Sequence, residues 1–415
     1  MGWTDDLGAW AARQRWYAGK SHEPAFRILD EQPVAGATRY LLMDDGGALP
    51  TLYQVPLARV STPTEHDEVV ARDGDLYVVD AARRPEYTVA ALAAMGVEAG
   101  AVTGSRVLTG EQSNTSIVFD VDGEPRIILK LFRTLHHGEN PDVTVQRVLS
   151  AGGSPYVPHF FGSADAEWPD VGRPSGRARG TLGFAQEFLP GVRDGWAVAL
   201  DSARDDSDFT AAARELAVAV AGIHGALGAS LGTQDADAES IGATGAAWER
   251  RLRIAAAEIP AVATRVDAIG EVYRAALSRP WPRLQRIHDD LHLGQVLSAP
   301  TGGWRIVDFE GEPLRPMAER ALPDLPPRDV AGMLRSFDYA GAVARGAEGA
   351  DWGRRCREAF VEAYRGAPGA VELDPDLLRA LVLDKAVYEC VYEARNRPDW
   401  LPVPLAGIDA ALSDG

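Results

Sequence analysis

The residues best suited to chemistry sit in two neighbouring stretches, IHDDLHLGQVL (287–297) and RIVDFEGEP (305–313). They bring His288, Asp289, Asp290, His292, Gln295, Asp308 and Glu310 within a short span of chain. Two chemistries compete for them. A zinc hydrolase needs two histidines on one helical face, a third ligand, and a glutamate beside the first histidine as general base. Here Asp-Asp-Leu separates His288 from His292, so that glutamate is missing. Phosphoryl transfer instead needs an acid that takes or orients the nucleophile's proton, oxygen ligands for a metal ion, and a lysine on the nucleotide phosphates. Asp290 is followed by the amide of Gln295, Asp308 ends a short apolar strand, and Lys130 lies upstream in EPRIILKLF. Four residue types in that order explain more of the chain than two histidines do.

Three sections of the sequence must position these groups. Residues 1–95 open on an amphipathic stretch with Trp3, Leu7 and Trp10 at helical spacing, then run through strand-like RYLLMDD and TLYQVPLARV. This is the pattern of a β-rich cap. Residues 96–186 read as strand, strand, helix, strand, with Asn140 and Pro141 opening the helix and Gly152 and Gly153 ending it. That order suits a nucleotide-clamping lobe. Residues 187–415 carry the long helical periodicities, including RDVAGMLRSFDYAGAVARG and DPDLLRALVLDKAVYECVYEARNRPDW.

Composition narrows the partners. A net charge of −18 argues against nucleic acid as the main partner and suits a neutral or cationic substrate. No apolar run is long enough to span a bilayer, and the N-terminus lacks the pattern of a secretory signal, so a cytoplasmic protein away from the membrane is expected. The two cysteines, Cys356 and Cys390, are expected as free thiols in a reducing compartment.

Taken with QRWYAGK (14–20), GEQSNTS (110–116), NPDV (140–143), PGVRDGWAVAL (190–200) and KAVYECVYEARNRPDWLPVPL (385–405), the two stretches resemble the bacterial maltokinases and actinobacterial glucosamine kinases. The resemblance runs nearly end to end. It implies an α+β, bilobal, protein-kinase-like (aminoglycoside phosphotransferase-like) fold with an N-terminal β-rich cap, and ATP and Mg²⁺ as cofactors. It also implies roles. Asp290 would be the catalytic base, Gln295 and Asp308 would hold Mg²⁺ with support from Glu310, and Lys130 would contact the α/β-phosphates. Ser113, Asn114, Thr115 and Ser116 would cover the phosphates, and Gln186, Glu187, Phe188 and Leu189 would meet adenine through their backbone. Two departures stand out. Thr144 occupies the place of a glutamate that pairs with the lysine, with Glu139 or Asp142 as substitutes, and Asp289 stands where glycine is common.

The acceptor side is less legible. Lys385, Glu389, Glu393 and Asn396 form one helical stripe, flanked by Tyr388 and Tyr392 and followed by Trp400. One alternative is a surface Lys385–Glu389 pair worth ~0.3–0.5 kcal/mol. The other is an acidic acceptor pocket of Glu389 and Glu393 with Tyr388 and Trp400, to which Asp194, Asp289 and His292 would add. Such a pocket favours an ammonium-bearing sugar. The expected reaction is therefore phosphorylation of glucosamine to glucosamine 6-phosphate. Maltose phosphorylation at O1, aminoglycoside phosphorylation, and a pseudokinase or antibiotic-binding protein are the alternatives.

Overall fold

The computed structural model describes residues 3–97, 100–108, 114–312 and 315–413. The chain divides into two compact units, Met1–Arg147 with Pro158–Pro190, and Val148–Val157 with Gly191–Gly415.

Among the described residues the first unit holds two antiparallel sheets. One has six strands, with Phe26–Val34, Ala37–Asp44, Thr51–Val60, Leu76–Asp80 and Val69–Asp73 in spatial order and Thr134–Leu135 added on Thr51–Val60. Period-two alternation divides its side chains between two cores. Tyr40, Leu42, Tyr53 and Val55 join Leu7 and Trp10 of the helix Trp3–Arg13 together with Trp16 and Tyr17, while Leu41 and Leu52 face Phe132, Leu182 and Phe184. Trp16 and Tyr17 of QRWYAGK are thus core residues. The Tyr17 hydroxyl donates to Asp44 Oδ2 at 2.6 Å, and the guanidinium of Arg133 lies 5.1 Å from the Trp16 ring centroid.

The second sheet has five strands in the order Phe160–Pro169, Arg177–Glu187, Glu124–Leu131, Thr115–Val121 and Val102–Val107. Helix Pro85–Ala94 sends Leu92, with Met95 after it, into this sheet's core, against Ile117, Phe119 and Leu129. Buried polar groups bind the two sheets. Gln54 Nε2 donates to the carbonyls of Phe132 (2.7 Å) and Leu182 (2.9 Å), and buried Arg133 bridges Asp80 (2.6 Å) and Thr115 (2.7 Å).

The second unit is built on helices. The longest are Thr210–Leu231, Ala238–Glu258, Pro327–Arg345 and Pro375–Asn396. Its small sheet pairs Arg193–Asp194 with Val296–Ser298, and Val296–Ser298 with Trp304–Ile306. Cys356 and Cys390 are both buried free thiols. No helix among the described residues is long and apolar enough to cross a membrane.

Candidate active site

The segment 287–292 is not helical, so His288 and His292 do not share a helical face. Each ring is committed to the loop itself. His288 Nε2 donates to the Val307 carbonyl at 3.0 Å and its ring packs, tilted by 42°, at 4.8 Å from that of Phe309, tying this loop to the VDFEGEP segment. His292 Nδ1 accepts from the Gly294 N–H at 3.0 Å, which puts the ring proton on Nε2. Burial holds the His292 pKa below its usual value and keeps the ring neutral. The zinc alternative is therefore excluded by geometry, and both histidines serve as braces.

Asp290 projects from this brace. The residue before it, Asp289, sits at φ +67°, a left-handed conformation that aspartate tolerates better than most side chains. Asp329 holds the turn, because its carboxylate accepts the N–H groups of His288 (2.8 Å) and Asp289 (2.9 Å) and also His224 Nε2 (3.1 Å). Asp329 opens the buried helix Pro327–Arg345, and Gly332 on that helix lets it approach: a Cβ there would lie 2.3 Å from the Leu291 carbonyl. Asp290 Oδ1 itself receives a hydrogen bond from Lys385 Nζ at 3.2 Å. A void of about 30 Å³ lies beside the pair, lined also by Glu312 and Tyr388.

The short hairpin that follows delivers the oxygen donors. Val296 pairs with Ile306, and the Gln295 carbonyl accepts the Val307 N–H at 3.0 Å, so Gln295 and Asp308 emerge at one end of the ladder. Asp308 is held at φ +70°. An amide and the carboxylates of Asp308 and Glu310 are the hard oxygen donors that Mg²⁺ selects. The residues present fit that ion.

In the β-rich unit, Lys130 lies on Glu124–Leu131 opposite Ser116. Its Nζ is 2.8 Å from Asp142 Oδ2, in the first turn of helix Pro141–Ala151. Asp142 is thus the lysine's partner. Glu139 pairs instead with Arg147 at 3.5 Å, and Thr144 Oγ1 donates to the Asn140 carbonyl. The Thr115 hydroxyl accepts from Arg133 at 2.7 Å. Asn114 is half-buried at the start of that strand, and Ser113 lies outside the described residues. Of the expected adenine-binding run, Gln186 and Glu187 pair with Ile128 and Ile127, and the Glu187 and Phe188 N–H groups donate to the carbonyls of His159 and Arg126. Leu189 lies beyond the last paired residue.

Comparison with known proteins places this geometry in a family. Residues 105–373 match the phosphotransferase enzyme family, and residues 10–83 match the maltokinase N-terminal cap domain. The chain belongs to the phosphotransferase enzyme family. A glucosamine kinase from Streptacidiphilus jiangxiensis is 30% identical over 368 residues, covering 79% of this phosphotransferase and 80% of the relative. One from Mycolicibacterium smegmatis is 32% identical over 336 residues, covering 75% and 80%. A solved structure of glucosamine kinase in complex with glucosamine, ADP and inorganic phosphate is similar with a TM-score of 0.70 at 23% identity, covering 98% of each chain. A second crystal form of glucosamine kinase gives a TM-score of 0.72 at 24% identity, covering 98% and 99%. The protein-kinase-like fold expected from the sequence is the fold of this phosphotransferase.

The acceptor side needs correction. Glu389 does not line a free acidic pocket, because its Oε2 takes Nε (2.9 Å) and Nη2 (2.8 Å) of the buried Arg335. Glu393 is held by Arg397 (2.7 and 2.9 Å) and by the Tyr339 hydroxyl (3.2 Å). Nor does Lys385 pair with Glu389 at the surface; it reaches Asp290. Trp400 carries the Arg397 guanidinium at 4.5 Å and belongs to that clamp. Asp194 caps helix Gly195–Arg204 by accepting the Ala197 N–H at 2.9 Å. Asp289 is bound by Arg315 Nη1 at 3.1 Å and lines the same void as Asp290.

Tyr388 and Glu312 connect two cavities. Both line the void beside Asp290 and also a groove of about 1230 Å³ running along helices Ala238–Glu258 and Pro375–Asn396. Glu312, Lys385 and Asp329 were missed from sequence. The signal for Glu312 was the alternation Asp308, Glu310, Glu312. The signal for the contact of helix Pro327–Arg345 with the loop was the glycine within RDVAGMLRSF.

Proposed function

We propose that this phosphotransferase transfers the γ-phosphoryl group of ATP to glucosamine, at O6, with Mg²⁺ as the metal. The observation that supports it most is the placement of Asp290 at a void that shares Glu312 and Tyr388 with the groove. An acid and an aromatic ring at that junction suit an aminosugar, because a carboxylate attracts the ammonium and a ring face covers the apolar edge of the sugar. The two actinobacterial relatives named for glucosamine agree with this choice.

In this mechanism the acceptor hydroxyl gives its proton to Asp290. The hydroxyl oxygen forms a bond to the γ-phosphorus while the bond to the bridging oxygen of ADP breaks. Lys130, kept extended by Asp142, takes the α/β-phosphates. Mg²⁺ held by Gln295, Asp308 and Glu310 would supply charge neutralisation on the phosphates. His288, His292 and Asp329 keep the Asp290 loop in place without touching the reacting atoms.

A coupled ADP-release assay over glucosamine, maltose and aminoglycosides tests the assignment. Glucosamine is expected to give the highest kcat/KM, with the product's phosphate on O6 by NMR. Turnover of maltose without glucosamine would replace the proposal with a maltokinase.

A further inference from the structure

Lys385 is the one cation that reaches Asp290 among the described residues, and both partners of that contact are held by the same helix. On the base side, Asp329 of helix Pro327–Arg345 accepts the two N–H groups of the turn just before Asp290. On the lysine side, two neighbours fix helix Pro375–Asn396. Asp384 takes Nε and Nη2 of Arg251 at 2.9 and 2.6 Å, with Arg328 Nη1 at 3.8 Å, and Glu389 takes Arg335. Arg328 and Arg335 lie on the helix that carries Asp329. An ion pair sits one residue before Lys385 and another one turn after it, and both resist sliding or rotation of the helix. The reach of Lys385 is fixed by the fold.

Four acids besides Asp290 line the void, and Glu312, 3.6 Å from Arg315, is the one of them that also lines the groove. Asp384 has Arg251, Asp289 has Arg315, and Asp329 has the loop. Burial alone would lower the Lys385 pKa, but Asp290, Glu312 and Glu389 outweigh it and raise the pKa, so the side chain stays an ammonium.

We propose that Lys385 is a positioning residue for phosphoryl transfer: its ammonium takes Oδ1 of Asp290, fixes the plane of the carboxylate, and leaves Oδ2 as the oxygen that accepts the acceptor's proton. A carboxylate on a short side chain otherwise rotates about its terminal bond, where the torsional wells are broad. A misplacement of about 1 Å at the reacting atoms costs on the order of 10²-fold in rate. Lys385 therefore acts on kcat through Asp290, and nucleotide binding does not depend on it. The inference rests on Asp290 being the base.

The test uses the full chain with ATP, Mg²⁺ and glucosamine. Lys385→Ala is expected to lose about 10²-fold in kcat while KM for ATP stays within about twofold. Because the truncation opens space next to the existing void, n-propylammonium is expected to restore at least about tenfold of the loss. The same concentration of 1-propanol, which fills the hole without charge, is expected to restore none. Lys385→Met, which fills the space but carries no charge, is expected to be as slow as the alanine variant, and it serves as the reporter if the alanine variant does not fold. Wild-type kcat in Lys385→Met overturns the proposal, and so does equal rescue by propanol, which would indicate packing. Asp290→Asn separates the two levels. If that variant is inactive while Lys385→Met is normal, only the lysine's role fails; if Asp290→Asn is active, the base assignment fails.

Discussion

Two lysine–aspartate pairs lie among the described residues, one in each unit, and they differ in how the chain makes them. Lys130 and Asp142 are 12 residues apart and in contact at 2.8 Å, joined by a strand and the first turn of the next helix. Lys385 and Asp290 are 95 residues apart and in contact at 3.2 Å, joined only because helix Pro327–Arg345 braces both sides. The local pair costs little chain entropy to form and can be foreseen from strand–helix order. The distant pair exists only once a core of helices has packed. Proximity in sequence therefore says where a lysine's carboxylate can be found, whereas a remote pair reports the tertiary scaffold.

The largest expected effect is on the local pair. Lys130→Met is expected to lower kcat/KM by about 10³-fold, since it removes a charge that faces the phosphates. Asp142→Asn, which only releases that lysine, is expected to cost about tenfold and to appear mainly in KM for ATP. Thr144→Glu in the Asp142→Asn background is expected to restore nothing, because residues two apart on a helix point to nearly opposite sides. Rescue there, measured as ATP-dependent ADP release, would mean that the helix can rotate and that Asp142 is not the fixed partner.

Next comes a carboxylate on the same helix as Lys385 whose pairing is structural. Glu389→Gln strips one partner from Arg335, which is 1% exposed and keeps Asp338 at 3.0 Å. Removing one member of a buried pair costs about 3 kcal/mol or more. The denaturant midpoint should fall accordingly, while KM for glucosamine stays within about twofold. A rise in that KM with unchanged stability would return Glu389 to the acceptor pocket.

These contrasts show which parts of the site were legible. Lys130, Asp290, Gln295 and Asp308 stand in local motifs, so residue types sufficed to nominate them. The helix opening at Pro141 followed from Asn140, whose Oδ1 accepts the Asp142 N–H at 2.9 Å. The acidic stripe misled because periodicity reveals which residues share a face, not what that face meets. Arg335, 54 residues before Glu389, could not be assigned to it without the fold. Arg397 could have been, since it lies four residues after Glu393, at the spacing of a helical ion pair. Asp289 was ambiguous for a different reason: its left-handed backbone is a property of the turn, and its partner Arg315 lies across the hairpin.

Asp289 gives the smallest and most specific test, because it stands beside Asp290 yet is paired with an arginine instead of the lysine. Burial pushes its pKa up to about 6, against the pull of Arg315. In the unfolded chain the same group titrates near 3.8. Between pH ~4 and ~6 the folded state therefore keeps a proton that the unfolded state has released. Its contribution is fully present below the unfolded value and is lost as pH rises through the folded one. A separation of about two pH units is worth about 3 kcal/mol. Asp289→Asn keeps a side chain that tolerates positive φ and removes the titration. In denaturant unfolding from pH 4 to 7, the wild type is expected to lose this increment of stability on going up in pH. The variant is expected to show a flatter profile. Parallel profiles would mean that Arg315 holds Asp289 ionised throughout.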